Sequence, residues 1–124
     1  MADAVTSQTL VDGERNLVMK FTNISDGTGE SAVTKVAAAT YGTNVRIMKI
    51  HYSTAGMGVD ILWDATSDVL AWHLPADRGG TLDFTRFGGI SNNGGSGVTG
   101  NIQFTTVGHT AADRYTILLE MAKT

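Results

Sequence analysis

Apolar residues fall at every second position in four separate stretches: Leu17, Met19 and Phe21; Val59, Ile61 and Trp63; Leu82 and Phe84; and Tyr115, Ile117, Leu119 and Met121. A period of two is the side-chain repeat of a β-strand, whose successive residues point to opposite faces. Between these stretches lie turn-forming segments, among them Asp26-Gly27-Thr28-Gly29, Ala55-Gly56-Met57-Gly58 and Pro75-Ala76-Asp77-Arg78-Gly79-Gly80. Fifteen glycines stand against one proline, and each glycine inside a helix would cost about 1 kcal/mol. Ala37-Ala38-Ala39 has the composition for one helical turn, which Gly42 stops.

The alternation predicts strands over Arg15–Ile24, Ala32–Ala37, Asn44–Tyr52, Thr81–Phe87, Asn101–Val107 and Arg114–Met121. Residues 56–74 read as a hairpin around the loop Asp64-Ala65-Thr66-Ser67-Asp68, and residues 88–100 as a long small-residue loop. Short strands with a turn every eight to twelve residues are the pattern of a sandwich, jelly roll or small barrel. The expected fold is therefore all-β, an antiparallel β-sandwich or jelly-roll-like barrel of about seven to nine strands. Residues 12–124 are expected to form a single β domain. Residues 1–11, polar and without a strong anchor, are expected to be a flexible N-terminal arm that orders on a partner.

Several classes of function find no support. The formal charge of −3 and the scatter of the nine basic residues argue against nucleic acid as a partner. No apolar run approaches the ~20 residues of a membrane-spanning helix, and Met1-Ala2-Asp3-Ala4 lacks the basic and apolar regions of a secretory leader. The expectation is no membrane partner and no cleavable export. Without cysteine there is no disulfide framework, thiolate metal site or cysteine nucleophile.

The three histidines, His51, His73 and His109, are dispersed, and no His-Glu-x-x-His or similar pattern occurs. His73 lies across a hairpin from the acidic segment 60–64, where a carboxylate can approach it. Asp60, Asp64 and Asp68 suit a hairpin and its loop better than a catalytic pair. Asp26-Gly27-Thr28-Gly29-Glu30 lacks the register of a calcium loop, and Asn23-Ile24-Ser25 matches a glycosylation pattern by chance. There is no Gly-x-Ser-x-Gly, and the glycine-rich segment 88–100 is not followed by the Gly-Lys-Ser/Thr of a phosphate cradle. Trp63, Trp72 and Tyr52 have the chemistry of a sugar-stacking platform but fit core or interface roles better. No enzyme, cofactor or metal centre is expected.

Three phrases carry a family resemblance: Asp12-Gly13-Glu14-Arg15-Asn16; Thr22-Asn23-Ile24-Ser25-Asp26-Gly27-Thr28-Gly29-Glu30; and Gly56-Met57-Gly58-Val59-Asp60-Ile61-Leu62-Trp63-Asp64-Ala65-Thr66. Phe87-Gly88-Gly89 and Asn101-Ile102-Gln103-Phe104-Thr105-Thr106 extend it over most of the chain. In these the chain resembles small virion structural proteins of tailed phages, of the capsid decoration (cement) type. The resemblance implies a β-rich module on the outside of an assembled head, bridging major capsid subunits, often as a homotrimer. It would be made in the host cytoplasm and located on the capsid surface. A carbohydrate-binding β-sandwich of a tail or fibre, and a small jelly-roll hydrolase, are the alternatives.

The segment Val45–Tyr52 carries Val45 and Ile47 on one face and Met48, Ile50 and Tyr52 on the other. Only one face of a sandwich strand points into its own core. The expected partner-binding residues are therefore Met48, Ile50 and Tyr52, with Val5 and Leu10 from the arm.

Overall fold

The computed structural model describes residues 4–25, 30–37, 45–65, 67–90, 100–108 and 113–123. Among them nine strands form: β1 (Ala4–Asp12), β2 (Asn16–Ile24), β3 (Val33–Val36), β4 (Val45–Ala55), β5 (Gly58–Trp63), β6 (Val69–Leu74), β7 (Gly79–Asp83), β8 (Ile102–Val107) and β9 (Arg114–Lys123). A short 3-10 turn, Thr85–Phe87, takes the end of the stretch expected to continue as a strand to Phe87. The described residues contain no α-helix.

Strand pairing identifies the architecture. β5 pairs with β6, β4 with β7, β3 with β8 and β2 with β9, all antiparallel, as if the chain were one long hairpin. Rolling that hairpin adds the pairs β4–β9 and β5–β8. The result is a jelly roll with sheet orders β1-β2-β9-β4-β7 and β3-β8-β5-β6. β1 is an addition to this eight-stranded plan, hydrogen-bonded along the outer side of β2.

The alternating residues read from the sequence meet between the two sheets. Leu17, Met19 and Phe21 of β2 stand opposite Met121, Leu119 and Ile117 of β9. Val59, Ile61 and Trp63 face them from β5, with Ile102 and Phe104 from β8, and all are buried. Phe104 packs edge-on against Phe21, with ring centroids 5.2 Å apart, and against Tyr115 at 5.9 Å.

Register shifts decide what alternation alone leaves open. In β4, Ile47 pairs with Met121 and Lys49 with Glu120, so Met48 has no partner in the ladder. This extra residue is a β-bulge, which reverses the parity of everything after it. Val45 and Ile47 point into the core before the bulge, and Ile50, Tyr52 and Thr54 point into it afterwards, opposite Leu119, Ile117 and Tyr115. The expectation of two apolar faces on this strand is corrected: β4 has one inner face, entered twice. Gly89 covers the bulge. At its φ of 89° an added Cβ would lie 2.5 Å from Met48 Sδ and 2.9 Å from the Ile47 carbonyl oxygen.

The expected N-terminal arm is corrected as well. Residues 4–11 belong to strand β1, which pairs with β2 from Ala4↔Ile24 to Asp12↔Leu17 with a bulge at Leu10. Thr6 and Thr22 hydroxyls bond across this pair, and Lys123 Nζ on β9 reaches Asp12 Oδ1 at 2.5 Å. The polar composition that suggested an arm suits an edge strand whose faces are both in water. The turn expected at residues 26–29 and the loop at 91–99 lie outside the described residues.

Candidate functional site

His51 and His73 occupy opposite outer surfaces. His51 sits on the outer face of the five-stranded sheet, with Nε2 against Glu120 and Nδ1 3.0 Å from Thr81 Oγ1. His73 sits on the outer face of the other sheet, Nδ1 2.6 Å from Asp60 Oδ1, as the hairpin register anticipates. Both pairs are substantially exposed, and such surface pairs contribute about 0–1 kcal/mol. Among the described residues no group of three or more His, Asp or Glu side chains converges; His109 lies outside them. Asp64 and Asp68 flank the β5–β6 hairpin loop, where Asp68 accepts a hydrogen bond from the Ala65 N–H at 3.1 Å. That is turn chemistry.

The aromatic trio is not one platform. Trp63 is fully buried in the core and Tyr52 half-buried on its inner face, whereas Trp72 is 40% exposed and leans on Phe84 at 5.1 Å.

Of the five expected partner-binding residues, Ile50 is corrected outright: it is fully buried in the core, on the inner side of the bulge. Tyr52 shares that inner face. Met48 remains half-buried and lines a shallow outer groove of about 460 Å³ with Val11, Val18, Lys49, Thr85 and Glu120. Val5 and Leu10 are exposed on β1, at 44% and 50%, and Val11, which sequence reading did not single out, at 48%. The apolar surface therefore gathers along β1 and the adjoining outer face of its sheet. Every β1 residue from Val5 to Asp12 is exposed, and among the described residues β1 is the edge of the sheet, paired with β2.

A second site lies inside the sandwich, and sequence reading missed it. Glu30 and Lys35 form an ion pair whose side chains are only 5% and 4% exposed. A bulge between Thr34 and Val36 breaks the alternation of β3 and turns both Lys35 and Val36 inward. The Lys35 ammonium lies 5.9 Å from the centroid of the Phe104 ring. Glu30 Oε1 also accepts Asn23 Nδ2 at 2.9 Å and the Tyr115 hydroxyl at 2.5 Å. The Glu30 backbone is fixed by Thr106, which donates its N–H to the Glu30 carbonyl at 3.0 Å and accepts the Glu30 N–H on Oγ1 at 2.8 Å. Removing one partner of such a pair strands a buried charge, at a cost of about 3–5 kcal/mol. In the sequence Glu30 belongs to a turn and Asn23 to a chance glycosylation pattern; only their burial sets them apart.

No family model matches the chain, and no curated protein matches it. Among solved structures it is similar in shape to a cupin superfamily protein from Desulfitobacterium hafniense DCB-2, at 12% identity over 99% of this chain and 80% of that one, with a TM-score of 0.38. A cupin domain from Bordetella pertussis Tohama I gives 11% identity over 100% and 97%, with a TM-score of 0.40. A family 29 carbohydrate binding module gives 10% identity over 97% and 92%, with a TM-score of 0.43. At these TM-scores the likenesses carry no argument about ligand or activity. The jelly roll rests on the strand pairing itself, and the chain is a β-sandwich module.

Proposed function

We propose that this protein is a non-enzymatic virion module of the capsid-decoration type, binding the outer surface of an assembled phage head and bridging neighbouring major capsid subunits. The observation that carries this reading is the long edge of β1, which among the described residues is paired on one side, by β2. Natural sheets blunt their edges with short strands, charges, prolines or bulges, because an open edge recruits another strand. β3 has four residues, β7 has five and opens with Gly79-Gly80, and β6 is interrupted by a bulge at Ala71. β1 shares one of these devices, a bulge at Leu10, but it has nine residues, no lysine, arginine or proline, and no charge before Asp12. At ~3.3 Å per residue it offers an edge of about 30 Å for strand addition, with Val5, Leu10 and Val11 to anchor it. The occupant is a segment of the major capsid protein, and the contact should bury on the order of 1,200 Å² or more. Trimerisation at a three-fold position follows the family resemblance.

Undecorated heads of the cognate phage test this directly. The protein should bind them saturably, and light scattering should give a solution mass above the 13.1 kDa monomer. Val5→Lys with Leu10→Lys should abolish head binding while leaving the fold intact. A monomer that ignores the heads overturns the reading. The half-exposed Trp72 then favours the second reading, a carbohydrate-binding module, and retention on a glycan array lost in Trp72→Ala would establish it.

A further inference from the structure

Three buried side chains from separate segments share one carboxylate. Glu30 Oε2 pairs with Lys35 Nζ, and Glu30 Oε1 accepts Asn23 Nδ2 at 2.9 Å. A primary amine and a primary carboxamide are thereby each bonded to one oxygen of the same carboxylate, a group that can carry a proton. Tyr115 fixes the same carboxylate from β9, and the Phe104 ring lies near the amine with the Phe21 and Tyr115 rings against it. A buried ion pair needs donors on the carboxylate's remaining lone pairs, and one of the donors filling that role here is a primary carboxamide, a group an amine can attack.

We propose that Lys35, Glu30 and Asn23 are a self-acting cross-linking site, at which Lys35 Nζ and Asn23 Cγ join in an intramolecular isopeptide bond. Proton transfer from the Lys35 ammonium to Glu30 frees the amine lone pair and leaves both partners uncharged. Nζ then attacks Cγ, forming the new C–N bond and a tetrahedral centre, and the Cγ–Nδ2 bond breaks. Of the three protons on Nζ, one stays on the new amide. Two travel by way of Glu30 to Nδ2, and the nitrogen departs as ammonium. Charge and atoms balance, nothing is oxidised or reduced, and no cofactor enters. The protein supplies orientation, which replaces a bimolecular encounter, and a positioned acid–base group.

The bond would tie β2 of the five-stranded sheet to β3 of the four-stranded sheet. A chain without cysteine would so gain a covalent staple between its two layers.

Intact-mass spectrometry of the purified, folded protein is the decisive measurement, allowing for removal of Met1. The mass should fall below the sequence mass by one ammonia. Trypsin should fail to cut after Lys35 and release residues 21–46 as one peptide, whose halves stay joined after cleavage at Glu30. Lys35→Arg and Glu30→Gln should each show their full sequence mass. A folded wild-type protein at full sequence mass overturns the proposal. So does an ammonia loss that persists in Lys35→Arg, which would mark a backbone succinimide at Asn23.

Discussion

Tyr115 donates its hydroxyl to Glu30 Oε1 across 2.5 Å in the buried interior, joining residues eighty-five positions apart. The bond places a donor from β9 on a carboxylate carried beside the other sheet, so it forms only when the two layers close. Tyr115→Phe keeps the ring and its packing against Phe104 but leaves the carboxylate one donor short. A buried group deprived of a partner costs about 1–3 kcal/mol. Urea unfolding should show that loss in the midpoint, with an unchanged slope. No change in midpoint would mean that the carboxylate finds water or another donor.

The bulge at Met48 makes neighbours on β4 respond very differently. Ile50→Ala should cost about 2–5 kcal/mol, since the site is enclosed on every side. Met48→Ala removes a half-buried side chain from an open groove and should cost far less. Ile50→Asp should fail to fold rather than fold and lose a partner. Comparable midpoints for the two alanine variants would show that the parity reversal is misplaced.

Gly89 should be intolerant for a related reason. Its left-handed backbone and the approach of Met48 Sδ and the Ile47 carbonyl both oppose a side chain. A residue forced into a sparsely populated backbone region costs of order 1–3 kcal/mol. Gly89→Ala should lower the thermal midpoint, whereas Gly13→Ala, with space around it and no positive φ, should not. Equal effects would count against the covered bulge.

One exposed carboxylate should carry a pH signature. Asp83 is held below its ordinary value, first by the Thr85 hydroxyl at 2.6 Å, then by the Thr85 N–H at 2.9 Å, with Lys49 adding attraction. Its folded pKa is thus lower than its unfolded one. Its contribution to stability is present above the unfolded value and disappears as pH falls through the folded one. Carbon-detected NMR titration should place its midpoint below that of a free aspartate, and Thr85→Val should move it upward. A midpoint insensitive to Thr85→Val would contradict the assignment.

By itself the sequence determined the all-β class, the strands and most of the core. Residues such as Leu17-Met19-Phe21 and Tyr115-Ile117-Leu119 repeat with the period of a pleated strand, and burial of one face follows from the hydrophobic effect. The approach of Asp60 to His73 was legible for the same reason, being a neighbour relation across a short hairpin. Only the tertiary structure decided which strands pair across the roll, and therefore that the plan is a jelly roll with an added edge. It also decided where parity breaks. A bulge is one unpaired residue whose position depends on the partner strand, so nothing local to Met48 or Lys35 announces it. Hence Ile50 read as a surface residue and is core, while Lys35 read as an ordinary strand residue and is buried on Glu30. Residues 4–11 read as an arm because strand pairing, unlike alternation, is satisfied by backbone groups that every residue carries. The Asn23–Glu30–Lys35 cluster depended most on tertiary structure, since Asn23 and Lys35 belong to different sheets and meet Glu30 only once those sheets close.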